Sequence, residues 1–101
     1  MMIKQFVEAV VKYGEFPAFA AATESYQKLA VEHGLEPYSL WVNQGGGRMN
    51  EVFFEATFDS PQALADREKA DADHADLRVA LGEILSHCVQ GSIIDRQLST
   101  V

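Results

Sequence analysis

The chain has 101 residues and a formal charge of −7, from fifteen acidic against eight basic residues. That length suits one domain, and the charge argues against a non-specific nucleic-acid binder or a protein held on an anionic membrane, since both need a basic footprint. Hydrophobic residues make up 48%, a high share for a chain that buries only about two thirds of its unfolded surface. The surplus points to a subunit interface, so a homodimer is expected. The single cysteine, Cys88, allows no intrachain disulfide and no cysteine-based metal site. It fits a reducing compartment, and the first residues resemble neither a signal peptide nor a membrane span, so a cytoplasmic protein is expected.

Ile3–Tyr13 alternates with a period near two and is rich in β-branched residues, a strand signal. Gln5 is the polar exception on its apolar face. Gly14 ends the run. Pro17 suits a first helical turn, and Phe19, Ala22, Tyr26, Leu29, Ala30 and His33 recur at helical spacing until Gly34. A helix over Pro17–His33 follows. Pro37–Gln44 and Arg48–Phe58 read as two strands of a hairpin around Gly45–Gly47.

Ser60-Pro61 is a helix start. The segment turns very polar over Asp66–Asp76, and the apolar period resumes at Leu77. One kinked helix or two, Pro61–Ala72 and Asp76–His87, are expected. Ser92–Leu98 closes the chain as a short strand. No linker or low-complexity stretch interrupts this order, so residues 1–101 form one domain.

The order strand, helix, strand, strand, helix, strand predicts an α+β fold of the ferredoxin-like kind. Both helices would cover one face of an antiparallel sheet. The other face would be left to pair with a second copy.

In this order, the chain resembles the dimeric α/β-barrel superfamily and looks like a NIPSNAP-type member. The local likeness runs from Gly45–Gly47 through Asn50 and the aromatic strand Phe53–Phe58 to Leu64-Ala65-Asp66-Arg67. The resemblance implies a dimeric barrel with a pocket between sheet and helices. The superfamily includes cofactor-free monooxygenases, cyclases, haem-degrading enzymes, decarboxylases and proteins without known activity, so the fold carries no specific chemistry.

Six residues are candidates for a site. Tyr26, Tyr38 and Trp41 either wall an aromatic pocket or pack in the core or an interface. Asn50 either orients a ligand carbonyl or satisfies a turn. Glu51, on one strand face with Glu55, is either an acid or base in an apolar pocket, or it lies at a solvent-facing edge or in an inter-subunit ion pair with Arg48 or Arg96. His74, among Asp71, Asp73 and Asp76, is either a proton shuttle or a surface histidine. In the catalytic reading His74, Asn50 and Trp41 act on substrate, while Tyr26, Tyr38 and Glu51 bind it. No metal site and no cofactor are expected. The Gly45–Gly47 run lacks what a phosphate loop requires.

Two functions stay open. One is a small-molecule-binding homodimer acting as a cofactor-independent cyclase, isomerase or monooxygenase on an aromatic or polyketide-like compound. The other is a non-catalytic dimeric module for a ligand or protein partner.

Overall fold

A computed structural model describes residues 1–100. Its elements are β1 (Ile3–Val10), α1 (Phe16–Glu32), β2 (Ser39–Val42), β3 (Glu51–Phe58), α2 (Pro61–Asp73), α3 (Ala75–Ser86) and β4 (Ile94–Ser99). The four strands form one antiparallel sheet in the order β2-β3-β1-β4. This is the ferredoxin-like arrangement, with the second helical segment split in two.

The strand alternation separates two faces. Ile3, Gln5, Val7 and Ala9 of β1 stand opposite Phe58, Ala56, Phe54 and Val52 of β3. These residues face the helices. Val52 is fully buried, and with Ala9 and Val11 it meets Phe19, Ala22, Tyr26 and Ala30 of α1 and Leu77 and Ile84 of α3. The other face carries Phe6, Phe53 and Trp41, with Ile94 and Leu98 on β4. No helix covers it. Phe6 and Phe53 pack there at 5.5 Å between ring centroids, while Trp41 is 62% exposed and Leu98 52%.

Element ends follow local chemistry. α1 begins one residue before Pro17, which supplies a preset φ where no N–H partner is required. β1 stops at Val10, and Val11 continues only as an isolated bridge to Cys88. The hairpin strands are shorter than the sequence suggests. Gly46, Gly47 and Asn50 all take positive φ, so the backbone turns away from the ladder over the whole loop. At Gly47 the φ of 63° would strain any L side chain, and an added Cβ would also push on Glu51 Oε1 at 2.9 Å.

Ser60 caps α2 by accepting from Ala63 N at 3.1 Å. The second helical segment is two helices meeting at His74, which is extended at φ −86° and ψ 114°. The run Asp71–Asp76 has no apolar side chain larger than alanine to hold a continuous helix against the sheet. Arg78 Nη1 donates to Ala72 O at 2.7 Å and satisfies a carbonyl freed by the break. Among the described residues no helix is long and apolar enough to cross a membrane.

Candidate functional site

Between the sheet and the helices lies a cavity of about 190 Å³. Its apolar wall comes from Val7, Ala9, Phe54, Leu81, Ile84 and Cys88. Its polar wall is a linked set of side chains from four places in the chain. Tyr26 on α1 donates its hydroxyl to Asp71 Oδ1 on α2 at 2.8 Å. The same hydroxyl accepts from Arg67 Nη2 at 3.0 Å. Tyr38, just before β2, donates to Gln5 Oε1 on β1 at 2.7 Å. The Gln5 amide nitrogen donates in turn to Asp95 Oδ2 on β4 at 3.1 Å, and this partner sets which way the Gln5 amide points.

Gln27 holds Tyr38 in place: its Nε2 donates to Tyr38 O at 2.6 Å, and its Oε1 accepts from Tyr38 N at 3.0 Å. The Arg67 guanidinium lies over the Tyr38 ring, 4.7 Å from its centroid, a cation–π contact strengthened by burial. Arg67 is only 5% exposed. It donates to Glu36 O at 2.6 Å through Nη1. Its Nε lies 3.5 Å from Asp71 Oδ2 but is not aimed at it, and so has charge contact without a hydrogen bond. Burial pushes the Tyr38 phenol up to about 12 and raises Tyr26 further still. Both hydroxyls therefore stay protonated at neutral pH.

Tyr26 and Tyr38 are thus brought together at this cavity. The other four candidates are not. Trp41 stands on the uncovered sheet face, next to Phe53 in the register. Asn50 is a left-handed turn residue at φ 60°, whose carbonyl accepts from Val11 N at 2.9 Å. Glu51 is mostly buried beside the hairpin loop, paired with Arg48 Nε at 3.3 Å and near Asn43. Glu55, its neighbour on that face, pairs with Lys4 at 2.9 Å. His74 stacks on His33 at 4.1 Å between ring centroids, and His33 contacts Asp76 at 2.9 Å. His74 therefore does not pair with Asp71, because Asp71 turns inward to Tyr26 and Arg67.

Sequence reading missed Gln5, Asp71 and Arg67. Gln5 had a signal: it interrupts an otherwise apolar strand face. Arg67 had one too, since Leu64 and Arg67 of the Leu-Ala-x-Arg stretch are the two buried residues of α2. Asp71 was masked by the acidic run around it. Just past the end of α3, His87 faces Glu15 and Glu83 while Cys88 is buried in the core. Burial raises the Cys88 thiol and leaves it a poor nucleophile. A second, more open cleft of about 670 Å³ lies between α2 and the β2–β3 edge, and Arg67 borders this one rather than the smaller cavity. Among the described residues, no group of three or more His, Cys, Asp or Glu is placed to hold a metal ion.

No family model matches the chain, and no curated protein matches it by sequence. Solved structures do. A NIPSNAP family protein from Agrobacterium tumefaciens aligns with a TM-score of 0.79 at 14% identity, covering 100% of this chain and 94% of that one. A second NIPSNAP family protein of unknown function from that organism gives 0.77 at 16%, covering 96% and 86%. A dimeric ferredoxin-like protein of unknown function from Jannaschia sp. gives 0.72 at 22%, covering 99% and 100%. At such identities the likeness is one of fold: the chain is built, over its whole length, like NIPSNAP family proteins with a ferredoxin-like sheet.

Proposed function

We propose that the protein is a homodimer that binds a small, single-ring compound in the sheet–helix cavity. The observation that carries this reading is the cavity itself. It is a largely apolar space of about 190 Å³ with Tyr26, Tyr38, Gln5 and Asp71 on its wall. Ligand sites are commonly of this kind, apolar with a few placed polar groups. An apolar cavity of roughly 150 Å³ holds benzene, so this one has room for one substituted ring. A fused polyketide skeleton exceeds it. Tyr26 and Tyr38 are the binding residues in this reading. Trp41, Asn50, Glu51 and His74 lie outside the cavity and take no part in it.

The dimer forms through the uncovered sheet face, two sheets closing into a barrel. Exposed Trp41, Ile94 and Leu98 support this, as does the description of one structural relative as dimeric. The lone buried thiol suits a cytoplasmic location. A catalytic role as a cofactor-independent cyclase, isomerase or monooxygenase draws support from Asp71, an ionisable group at the cavity wall that can act as a base. A non-catalytic binding module needs only the cavity.

A thermal-shift screen with substituted benzenes tests the reading, because a ligand that binds only the folded state raises its apparent stability. Single-ring compounds should raise the melting temperature. A null result for all of them, repeated by titration calorimetry at millimolar ligand, would refute the cavity as a binding site. Product analysis by NMR on each binder then separates turnover from binding.

A further inference from the structure

We infer that the cavity selects by hydrogen-bond polarity: it takes a neutral ring that donates a hydrogen bond, a phenol, over the same ring carrying only an acceptor. This rests on the cavity reading above and names the ligand class for it.

Most hydrogen-bond donors on the cavity wall are already committed. The Tyr26 hydroxyl hydrogen goes to Asp71 and the Tyr38 hydroxyl hydrogen to Gln5. The Gln5 amide nitrogen meets both oxygens of Asp95 on one side, which engages one of its two hydrogens. The Gln27 amide nitrogen gives one hydrogen to Tyr38 O. Each amide keeps one hydrogen, while Arg67, whose Nε has no partner, stands outside the cavity lining. Against those two donors stand several free acceptor positions. A carboxylate can accept about four hydrogen bonds. Asp71 accepts one at the cavity, from Tyr26, and its Oδ2 has only the misaligned Arg67 contact. The Tyr38 oxygen, having donated, can still accept.

The site is therefore rich in acceptors and poor in donors. A ligand hydroxyl reaching Asp71 would make a charge-assisted bond, among the stronger kinds. A ligand carbonyl there would meet a carboxylate and be repelled. Arg67 beside Asp71 compensates its charge, so a neutral donor is favoured over an ammonium group.

The test is calorimetric or ligand-observed NMR titration of the full chain with phenol, anisole, benzaldehyde, toluene and benzylamine. Phenol should bind about tenfold or more tighter than anisole, benzaldehyde or toluene, the range of one hydrogen bond to a charged group. Asp71→Asn, which offers an amide N–H, should shrink the phenol advantage and improve benzaldehyde. Circular dichroism checks that the variant is folded. Anisole or benzaldehyde binding within about twofold of phenol overturns the polarity inference and leaves the cavity reading standing. Benzylamine binding tightest overturns the neutrality of the ligand. If none of the five binds, the cavity reading falls, and this inference with it.

Discussion

Thr23 is buried on α1, and its hydroxyl has no hydrogen-bond partner. A buried hydroxyl left unpaired costs stability, whereas a methyl of the same shape does not. Thr23→Val should therefore stabilise the chain by about 1 kcal/mol, read as a higher urea midpoint at fixed protein concentration. An unchanged or lower midpoint would show that the hydroxyl does have a partner. The Tyr26–Arg67–Asp71 set is the opposite case. There polar groups are buried because each meets another, and deleting one strands the rest.

His87 offers a pH test at the same scale. Its ring contacts Glu15 at 2.9 Å and Glu83 at 3.2 Å. Its pKa is raised above the ordinary 6.5, first by the hydrogen bond to Glu15, with burial opposing and Glu83 adding to the rise. A raised histidine favours the folded state in full below its unfolded pKa. That contribution is lost as pH climbs through the folded value. The stability gap between the wild type and His87→Gln should thus be largest near pH 6 and close by pH 9 in parallel denaturation curves. A gap that widens with pH would reverse the assignment.

Among the elements, α2 is the least secured. Its inward contacts are few, chiefly Leu64 and Arg67, and its outer face is charged, with a Lys69–Asp73 pair one turn apart. Its start then depends on Ser60, which satisfies one of the amide groups that every helix leaves open. Ser60→Ala should cost about 1 kcal/mol, measured by urea denaturation. No loss would mean that Pro61 alone sets the helix start. The break at His74 matters beyond stability. It lets α2 place Asp71 at the cavity, with Arg67 behind it, while α3 packs Leu77 and Ile84 into the core.

On the scale of the whole molecule, the asymmetry of the sheet governs. One face is covered by helices. The other carries Phe6, Phe53, Trp41, Ile94 and Leu98, crossed by the Glu8–Arg96 and Lys4–Glu55 pairs. Exposed apolar area of this kind marks an interaction surface. Light scattering at micromolar concentration should give about twice the 11.2 kDa chain mass. Trp41→Asp combined with Leu98→Asp should return the single-chain mass. Both residues are exposed in the lone chain, so its own core is untouched. A wild-type chain found only at 11.2 kDa would refute the dimer.

What could be read from residues alone was the order and type of the elements. The alternation in Ile3–Val10, the spacing from Phe19 to Ala30 and the Ser60-Pro61 start are local signals, set by backbone geometry and by which side of an element meets water. The polar break before Leu77 was legible for the same reason. The cavity was not. Gln5, Tyr26, Tyr38 and Asp71 on its wall, and Asp95 behind Gln5, span 90 positions, and no periodicity states which of them meet. A tyrosine in a helical stripe looks the same whether it fills the core or walls a pocket. An aspartate in an acidic run looks solvated until a helix break turns it inward. The sequence by itself determined where strands and helices form, because those choices depend on near neighbours. Only the tertiary structure decided which polar groups are removed from water together, because that depends on the packing of α1, α2 and the sheet around a shared space.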